Sequence, residues 1–189
     1  MTRFLDRGAI VAAYVGIGMA VTIAISFLLV IPIEPIYWLL AAPSGLLIGY
    51  YANQRSDRRA GPWSRIVANA AYAGLLTGLT MAVLLLGVKA LFFFADNGYR
   101  GTDLGGSLTC TGGADCVYQR YREDSRAELA AAGIGDASSF TGFYWGQQLS
   151  SAGTVLVLTL AGGLGGGLLY GVFRPKAGPT RSPSPPVAG

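Results

Sequence analysis

The chain has no histidine, only two cysteines and only two lysines, and charged residues make up 13% of its 189 positions. Each shortage excludes something. Without histidine there is no His-ligated haem, no His-containing metal site, and no Ser-His-Asp or Cys-His catalysis. Two cysteines exclude a metal or cluster site built from four thiolates of this chain. So little charge excludes an ordinary water-soluble surface, which needs far more of it. No Asp or Glu lies inside any long apolar stretch. Proton- and cation-coupled transport usually needs an intramembrane carboxylate, so that class is disfavoured.

What is abundant is apolar sequence. Hydrophobic residues make up 52% of the chain, and four long runs dominate it, at about 8–31, 36–53, 66–94 and 143–173. Each reads as a transmembrane helix. The first follows Arg3 and Arg7 in the manner of a signal peptide, but it is longer than the usual ~7–15 residues and is read as a retained span. A Pro32-Ile33-Glu34-Pro35 turn ends it and forces an antiparallel hairpin with the second run. Pro43 is expected to kink the second run.

The connecting segments alternate in charge. The N-terminal tip, the segment 54–65 and the tail are basic, whereas 96–142 holds seven acids against four arginines. This is the positive-inside pattern, with both termini in the cytoplasm. The predicted fold is therefore an all-α membrane bundle of four transmembrane helices, N-in and C-in. Residues 1–173 form the domain, and 174–189 form a Pro/Ser-rich disordered tail. Arginine-over-lysine usage with much Ala and Gly points to a bacterial inner membrane. The basic residues sit where anionic headgroups meet helix ends, so a nucleic-acid role is not expected.

The outer loop, about 96–142, is glycine-rich in its first half. Its second half, 117–132, is predicted helical, with Ser125 and Glu128 at capping-box spacing. Cys110 and Cys116 lie in this loop, in an oxidising compartment, and are expected to form a short disulfide staple. The C-x-x-C motif and second cysteine pair of quinone-linked disulfide oxidases are both missing, so redox catalysis is not expected. The layout of two short loops and one large stapled outer loop is similar to that of tetraspanins. Their Cys-Cys-Gly motif is absent here, and no residue role is carried over.

Small residues recur every fourth position. The last run has Gly162 and Gly166 in one row and Gly163, Gly167 and Gly171 in another. The second has Ala41, Gly45 and Gly49, the third Ala70, Gly74 and Gly78, and the first Ala12, Gly16 and Ala20. Residues four apart share a helix face, and such flat faces let backbones approach closely in lipid. They serve packing within the bundle, or a partner where a row is left over. Lys89 is the one charge well inside an apolar run; it snorkels outward, pairs with Glu34 or meets a ligand.

The expected function is a non-enzymatic membrane scaffold or accessory subunit, without cofactor. Its partners are the lipid bilayer and other membrane subunits or further copies, met through the glycine faces and the outer loop. The alternative is a small homo-oligomeric transporter or channel for a neutral solute. An enzyme ranks third, with Glu123, Asp124 and Glu128 as its only loop acids of interest.

Overall fold

A computed structural model describes residues 6–30, 34–56, 61–95 and 112–173. These residues are about nine-tenths helical, with no strand among them. Helix α1 runs Arg7–Ala24 and continues as a π-helical stretch, Ile25–Val30. Next come α2 (Glu34–Gln54) and α3 (Trp63–Phe94). Two short helices, α4 (Ala114–Asp124) and α5 (Arg126–Ala131), precede the long α6 (Ala137–Phe173).

Among the described residues three helices are long and apolar enough to cross a membrane: Arg7–Leu29, Trp63–Phe94 and Ala137–Phe173. Here the four-run expectation narrows. Helix α2 is interrupted by Tyr37, Pro43, Ser44, Gly45, Gly49, Tyr50 and Asn53, which dilute its hydropathy. It runs unbroken through Pro43, which is exposed. Proline there has no N–H to offer the Leu39 carbonyl, and an outward-facing ring needs no partner on the next helix.

The bundle is built on small residues. Ala9, Ala12, Ala20, Ala41, Ala52, Ala70 and Ala73 are fully buried, while Tyr14, Leu39, Leu47, Val83 and Val157 face outward. That inversion of side-chain size follows from the solvent. Lipid offers large apolar groups an equivalent environment outside, so the interior selects groups that let helices touch. Helix α6 packs against both α2 and α3, and α1 lies against α2 and α3.

Of three apolar clusters among the described residues, one gathers Ala12, Ile48, Ala52 and Ala73, and two others lie apart. Of these two, one, around Tyr37, Met81, Leu85, Ala152 and Val155, lies inside the bundle. The other, Phe93, Val117, Leu129, Phe140 and Tyr144, joins the ends of α3 and α6 to α4 and α5. By length, α3 rises about 48 Å and α6 about 55 Å, against a ~30 Å hydrocarbon core. Both therefore exceed a perpendicular span.

Candidate functional site

The glycine rows of α6 divide between two neighbours. Gly162 and Gly166 face the α2 backbone: a β-carbon added to either would collide with Ala42 or Leu46 carbonyl oxygens. Gly163 and Gly167 face α3. A β-carbon on Gly163 would lie 3.0 Å from Gly74 Cα, and one on Gly167 would lie 2.6 Å from Ala70 Cβ. Gly171 abuts the Trp63 ring. From the other side, Gly45 and Gly49 meet the backbone at Thr159 and Gly163, and Gly78 meets Leu156 and Thr159. The two α6 rows and the α2 and α3 rows thus close on one another within the chain.

A second set of α6 residues points away from the bundle. Gly142, Gly146 and Gly153 are exposed, with nothing within 4 Å of an added β-carbon. Ser150 and Thr154 are exposed on the same face. Gly165, too, is open above its Cα.

Polar groups buried between the helices are matched mostly to backbone carbonyls. Thr77 Oγ1 donates to the Ala73 carbonyl at 2.9 Å. Thr159 Oγ1 donates to the Val155 carbonyl at 2.8 Å and lies 3.8 Å from Met81 sulfur. Asn53 Nδ2 bridges two helices, donating to the Gly49 and Ile66 carbonyls at 3.1 Å each. A buried polar group without such a partner is destabilising, and each of these removes that cost.

At the end where α1 begins, a carboxylate ties three elements together. Ser56 Oγ donates to Asp6 Oδ2 at 2.6 Å, and Asn69 Nδ2 approaches the same oxygen at 3.4 Å. The Asp6 N–H donates to Asn69 Oδ1 at 3.3 Å. Gly8 makes the junction tight: its added β-carbon would lie 2.6 Å from the Ala52 carbonyl oxygen. Sequence reading counted Asp6 only as a charge of the tip. The available signal was Asn69, the one amide side chain of α3.

At the opposite end α4 and α5 form a cap. The expected single helix over 117–132 is broken at Ser125, whose backbone is φ −134°, ψ 37°. Ser125 makes no side-chain capping bond. Glu128 does not complete a capping box either; its Oε1 accepts a 2.7 Å bond from Gln147 Nε2 of α6. The cap is held to α3 by Gly113 N–H donating to the Phe93 carbonyl at 2.8 Å. Aromatic contacts supply the rest: Phe93 to Tyr144 at 5.0 Å, Tyr121 to Phe140 at 5.1 Å and Tyr118 to Phe140 at 5.5 Å between centroids. Phe143, Tyr144 and Trp145, read from sequence as the start of the last helix, lie inside it. Helix α6 begins at Ala137 because Asp136 Oδ1 accepts from the Ser138 and Ser139 N–H groups, both at 2.9 Å. Those backbone donors hold the Asp136 carboxyl below its ordinary value.

Lys89 is half-buried on α3, and Glu34 is the first residue of α2; the Glu34 side chain lies outside the described residues. Cys116 is buried in the cap, and Cys110 lies outside the described residues, so the staple between them is not placed. Among the described residues no cluster of three or more His, Cys, Asp or Glu has metal-binding geometry. No family model, no curated protein and no solved structure matches the chain.

Proposed function

We propose that the chain is a non-enzymatic membrane scaffold or accessory subunit whose partner is another transmembrane helix. One observation carries this reading. The outward face of α6 presents Gly142, Gly146 and Gly153 with open space above each, while the neighbouring glycine rows are filled by α2 and α3. In lipid, a small-residue face of this kind permits a close helix approach, and close approach supplies association energy. The partner surface is thereby moved from Gly162, Gly163, Gly166 and Gly167 to the opposite side of the same helix. The outer cap, with Arg122, Glu123 and Arg126 exposed, is the second contact region in this reading.

The same proposal takes α2 as a fourth span. Its 21 residues rise about 32 Å, enough for the hydrocarbon core. With four spans, both basic termini fall on the cytoplasmic side of a bacterial inner membrane and the acidic segment falls outside. In the same reading the Cys110–Cys116 staple belongs to this outer side, where the compartment is oxidising.

The test is complex size after gentle extraction from the native membrane. Gly146→Leu with Gly153→Leu should release a partner or a second copy, seen as a smaller species on a native gel. Gly87→Leu, at an open glycine on another helix, serves as the control. A complex of unchanged size in the double variant would overturn the reading.

A further inference from the structure

An arginine at the end of a membrane helix ordinarily carries its head outward to water. Arg55, just past the end of α2, does the reverse. Its Nε–H donates to the Tyr51 hydroxyl oxygen at 3.1 Å, and its guanidinium carbon lies 5.4 Å from the Tyr51 ring centroid. Tyr51 is one turn earlier, so the charge is drawn back about 5.4 Å along the helix. Helical side chains lean toward the N-terminus, and at this end of α2 that lean points into the bundle.

The arrangement keeps donors in reserve. The bond to Tyr51 takes only Nε of an exposed arginine, and both Nη groups stay accessible. The Tyr51 oxygen is the acceptor in that bond, and among the described residues its own O–H meets no acceptor. Tyr51 is half-buried against Ala12, Ile48, Ala52 and Ala73, which fixes the ring and through it the guanidinium. The carboxylate at this junction, Asp6, is drawn to buried Ser56 instead, at 2.6 Å.

The depth of the pair is defined by its neighbours. A β-carbon on Gly8 would lie 2.6 Å from the Arg55 carbonyl carbon, so Arg55 is level with the first turn of α1. Tyr50, beside Tyr51, stacks edge-on with Tyr170 at 5.6 Å between centroids, and Gly171 abuts Trp63. All three long apolar helices thus begin or end at this level, at Arg7, Trp63 and Phe173. Tyr and Trp gathered at span ends mark the boundary between acyl chains and headgroups.

We propose that Arg55 and Tyr51 form a binding site for the phosphate of an anionic phospholipid. The Arg55 Nη groups and the Tyr51 O–H donate to its free oxygens, the strong pairing of a guanidinium with a phosphate. Leu47, exposed one turn inward of Tyr51 on the same face, offers an acyl chain an apolar surface. A choline headgroup sets its own cation beside Arg55, whereas a glycerol headgroup adds none. One arginine near an anionic lipid favours it about fivefold.

The full chain is delipidated in a non-ionic detergent and offered equal amounts of phosphatidylglycerol and phosphatidylcholine with identical acyl chains. Native mass spectrometry then reads the bound ratio. The wild type should retain the glycerol lipid about fivefold over the choline lipid. Arg55→Gln should bring the ratio near one. Tyr51→Phe, which keeps the ring and every charge, should also lower it severalfold. Arg65→Gln, which removes one charge from the same end of α3, should leave it unchanged. Equal retention by the wild type, which needs no variant and so no folding control, overturns the proposal. A preference that survives either Arg55→Gln or Tyr51→Phe overturns it as well. An Arg65→Gln loss as large as that of Arg55→Gln would assign the preference to diffuse basic charge and not to this pair. Displacement of the lipid by millimolar inorganic phosphate would reassign the site to a free anion.

Discussion

The Tyr37 hydroxyl donates a 2.7 Å hydrogen bond to the Met81 carbonyl, tying α2 to the middle of α3. The Tyr37 side chain is fully buried among Ala20, Ala24, Ala41 and Leu85. This is the largest residue of its core cluster, in an interior rich in alanine, and its one polar atom is satisfied by main chain. Tyr37→Phe keeps the ring and removes only the bond. The expected loss is about 1 kcal/mol, since interhelical hydrogen bonds in lipid average somewhat less and reach somewhat more. Unfolding in mixed micelles measures it; Tyr37→Ala, which also empties the ring's volume, should cost several times as much.

The glycine seam predicts a sharp positional contrast along one helix. At Gly163 an added side chain meets the α3 backbone; at Gly165, two residues on, it meets nothing. Gly163→Leu should abolish the folded bundle, because backbone has no rotamer with which to yield, and overpacking already costs 1–3 kcal/mol where side chains can move. Gly165→Leu should leave folding within about 0.5 kcal/mol of the wild type. Yield of monodisperse protein after extraction reads the difference. Equal yields would mean that α6 is not held between α2 and α3 as described.

The start of α6 carries a pH dependence. Asp136 accepts from two backbone N–H groups in the folded chain, which lowers its pKa from 3.8. A carboxyl depressed by folding adds stability that is complete above its unfolded value. That stability is lost as pH falls through the folded value. Acid unfolding of the cap should thus begin below about pH 3.8 for this group. Asp136→Asn, which keeps a neutral acceptor at the helix start, should flatten the dependence; Asp136→Ala should lower stability at neutral pH as well. Hydrogen exchange at the Ser138 and Ser139 amides checks both.

How far these features were legible differs by residue. Gly162 and Gly163 declared close helix contacts from spacing alone, because in lipid small size is the packing signal. Which neighbour each met was not legible, since spacing gives a face and not what covers it. The open face at Gly142, Gly146 and Gly153 was overlooked for a related reason. The last run was read as starting at Phe143, so the first of these glycines fell in a loop. The starting signal was Asp136 before Ser138 and Ser139, masked by an aromatic run that looked like an interface belt. That run, Phe143 to Trp145, packs among the cap contacts of Phe93 and Phe140. Ser125 with Glu128 misled in the opposite sense. The spacing of a capping box was present, but Gln147 on another helix took the Glu128 carboxylate. A tertiary bond of that kind leaves no trace in local sequence.

Asp6 supplies the last prediction. Its Oδ2 accepts from Ser56 Oγ at 2.6 Å and is approached by Asn69 Nδ2 at 3.4 Å. Ser56 and Asn69 are 5% and 1% exposed, so neither has ready access to water when Asp6 is removed. Asp6→Ala should therefore cost more than Ser56→Ala. The first removes the oxygen that Ser56 Oγ and Asn69 Nδ2 share, at roughly 1–3 kcal/mol for a buried polar group that loses a bond, and the second leaves a half-exposed carboxylate that solvent still reaches. The double variant Asp6→Ala, Ser56→Ala should be less unstable than the sum of the singles, because both changes remove the same hydrogen bond. The three variants, unfolded side by side in mixed micelles, give the coupling directly. Strict additivity would show that the serine and the aspartate act independently, leaving the Asp6–Asn69 bonds and Gly8 packing to fix α1 at this end.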